Sequence, residues 1–206
     1  MRAFLLLSSV AVLPLLAGCQ GASVGVGVGG TSGHVGLGAS TSVALGDDER
    51  TTSSQLTVAM YKIDASGVGA EIGTIMFQNT RKGLRIEPAL GGLPPGEHGF
   101  HIHEKANCGP AEKDGKMVAG LAAGGHFDPT ASGKHMGPGA EGHRGDLPTL
   151  KVDANGNASD VMFVLRLGVE DLRGHALMIH EGGDNYSDLP KPLGGGGARI
   201  ACGTGG

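Results

Sequence analysis

Nine histidines occur in the 206-residue chain, and their spacing sorts them by the chemistry open to them. His101 and His103 lie two apart in an apolar stretch, so on a strand both rings leave one face and can share one metal ion. By itself that pair would not argue for a metal. Further on, His126 follows Gly124-Gly125, His135 follows Gly133-Lys134, and His143 stands three residues before Asp146. Three imidazoles and a carboxylate from one stretch match a closed, four-coordinate zinc site. His180 ends an apolar run and shares a strand face with Met178, whereas His175 falls on the opposite face and is set aside. His98 faces away from His101 and His103 and reads as a buried hydrogen-bond partner. His34 lies in a low-complexity segment and reads as solvated. Spacing alone therefore supports a loop that binds more than one metal ion, with zinc the ion it fits most simply.

The elements that must position these side chains read as strands and turns. Apolar alternation predicts strands at about 56–63, 71–78, 83–90, 97–104, 150–152, 159–167, 177–180 and 199–202. Residues 64–69 and Gly91-Gly92-Leu93-Pro94-Pro95-Gly96 read as turns, and Asn155-Gly156 is a hairpin signal. Two long Gly-rich stretches, 105–147 and 181–198, lie between strands, and loops of that length inside a compact domain are usually functional. With 40 glycines and no sustained helical period, the chain is no helical bundle, since each interior glycine costs a helix about 1 kcal/mol relative to alanine. About eight short strands point to an all-β antiparallel sandwich or barrel. Trp is absent, so Val, Ile, Leu, Met and Ala must supply most of the core. The net charge of −4 and the lack of a basic run give no support for nucleic-acid binding.

The N-terminus carries a different signal. Residues 1–19 read as a lipoprotein signal peptide: Arg2, a short apolar run broken by Pro14, and Leu16-Ala17-Gly18-Cys19, which resembles the bacterial lipobox. Cys19 would then carry the lipid anchor. Residues 20–52 read as a flexible Gly-rich tether and 53–206 as the folded domain. With Cys19 lipidated, two of the three cysteines remain, and an exported protein meets an oxidising compartment. A disulfide between Cys108 and Cys202 is the expectation.

Several separate motifs resemble those of bacterial copper–zinc superoxide dismutases. They are Gly99-Phe100-His101-Ile102-His103-Glu104, Gly124-Gly125-His126-Phe127-Asp128-Pro129, Gly133-Lys134-His135 and Gly142-His143-Arg144-Gly145-Asp146-Leu147-Pro148. Others follow in Ala176-Leu177-Met178-Ile179-His180, in Gly182-Gly183-Asp184-Asn185-Tyr186-Ser187-Asp188, and from Pro192 to Gly203. The resemblance runs from about residue 55 to the C-terminus. It implies an eight-stranded antiparallel Greek-key β-sandwich or flattened barrel with two long functional loops. It implies copper on His101, His103, His126 and His180, and zinc on His126, His135, His143 and Asp146, with His126 bridging the two. It places Asp184 behind His101 and His135, gives Arg199 the copper channel, and matches Cys108 and Cys202 to the family disulfide.

The implied activity is dismutation of superoxide to oxygen and hydrogen peroxide, an antioxidant defence. Copper cycles between two oxidation states, His126 carries a proton, and Arg199 attracts the anion. A module that merely buffers copper would not need the channel arginine. The implied location is the cell envelope, with the lipid-anchored protein on the periplasmic face of the outer membrane. A homodimer is compatible with the resemblance.

Overall fold

The computed structural model describes residues 54–206. The signal peptide, Cys19, His34 and the whole of the tether lie outside the described residues.

Eleven strands follow one another: β1 (Gln55–Asp64), β2 (Gly67–Thr80), β3 (Gly83–Leu90), β4 (Gly96–His98), β5 (Phe100–His103), β6 (Ala111–Lys113), β7 (Lys116–Val118), β8 (Leu150–Val152), β9 (Met162–Val164), β10 (Ala176–His180) and β11 (Arg199–Thr204). Among the described residues the only helical pieces are three 3-10 turns. Seven strands form one antiparallel sheet in the order β5-β10-β11-β1-β2-β3-β9, while β4 pairs with β8 and β6 with β7. The fold is all-β and antiparallel, as expected.

Period-two patterning explains which way each strand faces. In β3, Leu84, Ile86, Pro88 and Leu90 are buried, and opposite Ile86 and Pro88 on β2 lie Phe77 and Ile75. In β1, Val58 and Met60 point inward, whereas Ile63, beyond register shifts around Tyr61, is buried in a second cluster with Met178 and Cys202. The inward side chains of β1, β2 and β3 form one core with Phe100, Ile102, Leu147, Leu150, Leu177 and Ile179.

Strands β5 and β10 differ from the rest, because every residue of both is buried. Phe100 and Ile102, like Leu177 and Ile179, enter the main core. His101 and His103, like Met178 and His180, therefore face the other way, where chain from the two long loops covers them. Backbone bridges set His101 against Asp146 and His103 against His126. Ile102 N–H donates to Gly145 O at 2.9 Å, and Phe127 N–H donates to Ile102 O at 2.8 Å. The free edge of β5 at Ile102 is thus satisfied by residues of the first long loop.

The strands depart from the eight expected in three places. The strand expected at 97–104 breaks at Gly99, whose N–H turns to Gly182 O at 2.8 Å in the second loop. The first loop contains the small β6–β7 hairpin. The strand expected at 159–167 shrinks to the three residues of β9. Asn155-Gly156 does make a turn, with Gly156 N–H on Asp153 O at 3.0 Å, yet the strands it joins take other partners: β8 pairs with β4 and β9 with β3.

Cys108 and Cys202 are bonded, with Cα atoms 5.7 Å apart and a sequence separation of 94. The bond ties the first loop to β11, the strand that carries Arg199. On the chain-entropy account a loop of that length contributes about 4–5 kcal/mol.

Candidate metal centre

Six buried ring nitrogens in this region have no hydrogen-bond partner: His101 Nδ1, His103 Nε2, His126 Nε2, His135 Nδ1, His143 Nδ1 and His180 Nε2. A buried polar atom left unsatisfied costs about 1–3 kcal/mol, so six together call for a ligand. The opposite nitrogen of most of these rings explains why the lone pairs point inward. His101 Nε2 donates to Asp184 Oδ2 at 2.8 Å, His103 Nδ1 to Gly124 O at 3.0 Å, and His180 Nδ1 to Gly197 O at 3.3 Å. Each bond fixes the tautomer in which the remaining nitrogen offers its lone pair.

Two sets of ligand atoms converge, each with all members within 4.8 Å of one another: His101, His103, His126 and His180; and His101, His126, His135 and Asp146. His126 belongs to both, its Nε2 free and its Nδ1 2.9 Å from Asp146 Oδ1. His135 Nδ1 lies 3.0 Å from Asp146 Oδ2 without hydrogen-bonding geometry, so both atoms face a common point. His143 stands slightly farther out, its Nδ1 3.5 Å from Asp146 Oδ1. His101 appears in the second set by proximity, since its Nε2 is already held by Asp184. Four imidazoles on one side, and imidazoles with a carboxylate on the other, are donor sets that suit copper and zinc.

Asp184 joins the two groups. Its Oδ2 accepts from His101 Nε2 and its Oδ1 from His135 Nε2, at 2.8 and 2.7 Å, and its side chain is fully buried. Arg199 Nη1 donates to Gly120 O at 2.5 Å and Nη2 to Gly124 O at 2.7 Å. The Gly124 carbonyl therefore serves both Arg199 and His103, which seats the guanidinium beside that ring.

The excluded histidines behave as their strand facing implies. His98 is buried, its ring nitrogens 2.7 Å from His180 O and 2.8 Å from Pro94 O. His175 Nδ1 approaches His103 O at 3.1 Å and its ring packs on Phe127. Sequence reasoning missed Asp188, whose carboxylate accepts the backbone N–H of His135 at 3.0 Å and of Leu193 at 3.2 Å. Its position four residues past Asp184, on the same loop, was the available signal.

Protonation follows from this packing. Burial pushes His126 down to about 4 and His180 to about 3, and it lowers His101 and His103 too. Burial also pulls on His135, but the Asp146 and Asp184 carboxylates beside its ring raise it to about 9. Burial favours neutral carboxyls, yet the adjoining His126 and His135 rings hold Asp146, and the hydrogen bonds from His101 and His135 hold Asp184, below the usual range. Metal-free protein prepared by chelation should therefore be most stable near neutrality. Stability tied to neutral His126 and His180 is full above about 6.5 and is lost as pH falls through about 4 and about 3. The contribution of His135 has the opposite sign, full below about 6.5 and lost as pH rises through about 9. Melting temperature against pH checks this; a steady rise in stability down to pH 4 would contradict it.

Comparisons with known proteins converge on one family. The family model for copper/zinc superoxide dismutase (SODC) matches residues 71–204. A copper/zinc superoxide dismutase of Salmonella typhimurium is 56% identical over 148 residues, covering 71% of this chain and 86% of the relative. Among solved structures, the copper/zinc superoxide dismutase from Brucella abortus aligns with TM-score 0.72 at 47% identity, over 73% of this chain and 99% of that one. The monomeric copper, zinc superoxide dismutase from Salmonella enterica aligns with TM-score 0.67 at 53% identity, over the same shares. With its paired ligand groups and these relatives, the chain belongs to the copper/zinc superoxide dismutase family.

Proposed function

We propose that copper is held by His101 Nδ1 and the Nε2 atoms of His103, His126 and His180, and zinc by the Nδ1 atoms of His126, His135 and His143 with Asp146. The support for this division is the set of buried, partnerless ring nitrogens, which in His101, His103, His135 and His180 lie opposite a nitrogen that is already bonded and in His126 opposite one aimed at the second group. The enzyme is a superoxide dismutase: two superoxide anions and two protons give one oxygen and one hydrogen peroxide.

Bound copper supplies the one-electron redox change, and bound zinc a fixed positive charge without redox change. The chain's own residues do the rest. Neutral His126 holds and releases a proton at Nε2, the nitrogen that faces the other three copper imidazoles. Asp184 keeps His101 and His135 from turning. Arg199 spends two N–H groups on the Gly120 and Gly124 carbonyls, and the planar guanidinium retains further donors for an oxyanion. Arg199→Ala should lower kcat/KM by about tenfold or more and flatten its dependence on salt, because the positive field that draws in the anion is removed. Stopped-flow superoxide consumption at several ionic strengths checks this, and an unchanged rate would remove the role.

Residues 53–206 form the catalytic domain in this reading, tethered through 20–52 to a lipid on Cys19. The Cys108–Cys202 bond and the bacterial relatives are consistent with a cell-envelope location. Outer-membrane anchoring on the periplasmic face is the finer part of the proposal. Metabolic palmitate labelling of the full chain should mark the protein, and unlabelled protein would refute the anchor. Every residue of the site comes from one chain, so a monomer suffices for the chemistry and a homodimer would add no ligand.

A further inference from the structure

His143 differs from the other metal-facing histidines in how it is held. His101, His103, His135 and His180 each have a second ring nitrogen in a hydrogen bond, to Asp184, Gly124 O, Asp184 and Gly197 O respectively. Among the described residues no hydrogen bond reaches the ring of His143, and its side chain is 11% exposed where that of His135 is 0%. Its aim must come from the backbone on either side of it.

That backbone is gripped from outside the loop. Gly142 O accepts from Arg166 Nη2 at 3.3 Å, and Arg144 Nη2 donates to Asp171 Oδ2 at 2.9 Å. Arg166 and Asp171 lie on one segment, between β9 and β10, so both neighbours of His143 are attached to the same piece of chain. The segment is itself fixed. Leu167, Val169 and Leu172 are buried, Val169 N–H donates to Asn79 Oδ1 on β2 at 2.9 Å, and Asp171 Oδ2 also accepts Gly168 N–H at 2.9 Å. On the inner side, His143 N–H donates to Lys134 O at 2.9 Å, and a Cβ on Gly142 would sit 2.6 Å from that oxygen. The loop is thus pressed close at Gly142 and cannot shift inward to compensate for a lost outer contact.

We propose that Arg166 and the Arg144–Asp171 pair form a clamp that positions His143 for zinc, acting through the backbone of residues 142 and 144. Arg144 Nε and Arg166 Nη1 are buried without partners, so each guanidinium depends on the few bonds it has. The inference rests on the assignment of His143 to zinc.

The test uses the full chain loaded with copper and zinc, and follows release of each metal to excess chelator. Arg166→Ala and Asp171→Ala should each speed zinc release about tenfold or more relative to copper release, the size seen when outer partners of metal ligands are removed. Asp171→Asn, which keeps an acceptor oxygen for Arg144, should return most of the slow release, and it serves in place of Asp171→Ala if that variant fails to fold. His143→Ala is the reference. If it loses zinc while the clamp variants hold zinc as the parent does, the clamp is refuted and the ligand assignment stands. If it too retains zinc, the assignment itself fails. Equal acceleration of both metals would also overturn the clamp, because it would mean general loosening.

Discussion

His126→Ala is expected to cut dismutation by about two to four orders of magnitude, the usual weight of a positioned proton carrier. The size of the effect follows from geometry. His126 is the one ring whose Nε2 belongs to the copper group while its Nδ1 faces Asp146 in the zinc group. Its removal takes a ligand from each metal and the proton-holding nitrogen together. Metal analysis of the variant should show zinc and copper both bound more weakly, and superoxide consumption at saturating copper should stay low. Recovery of parental rates with copper added back would deny His126 a role beyond binding.

The second large effect is expected at Asp184. This carboxylate touches neither proposed metal, yet it fixes two rings, one from each group. Asp184→Ala would leave His101 Nε2 and His135 Nε2 as buried donors without acceptors, and both rings would be free to turn. Loss of such a partner costs about 10–100-fold in metal affinity. Competition against a calibrated chelator should show that weakening for copper and zinc alike. If only one metal loosens, Asp184 does not couple the two groups; if neither does, its assigned role is wrong.

The strand facing of the histidines was legible in the sequence because it depends only on local period. His101 and His103 share a face and His180 lies with Met178, each as a period of two requires, whereas His98 stands before the break at Gly99 and His175 just before β10. The proposed loop ligands stood out in the sequence because few reasons other than metal binding gather three histidines and an aspartate among glycines. Partners of backbone atoms were not legible. The Gly124 and Gly197 carbonyls select the tautomers of His103 and His180, and a carbonyl carries no side-chain signature. Nor does alternation choose a neighbour: β8 and β9 flank a good turn sequence and still pair with β4 and β3, where the core packing places them. The break at Gly99 has the same origin, since its N–H is claimed by a residue more than eighty positions away. Arg144 and Arg166 carried no signal at all, because their meaning lies in where the backbone of His143 comes to rest.

In the proposed assignment two metals share His126 in a site built from one chain. Diffraction from metal-loaded crystals, collected at the copper and zinc absorption edges, tests it most directly. The expected result is one copper peak bounded by His101 Nδ1 and the Nε2 atoms of His103, His126 and His180, and one zinc peak bounded by the Nδ1 atoms of His126, His135 and His143 with Asp146. A zinc peak that excludes His126 or His143, or copper seated away from His180, would contradict it.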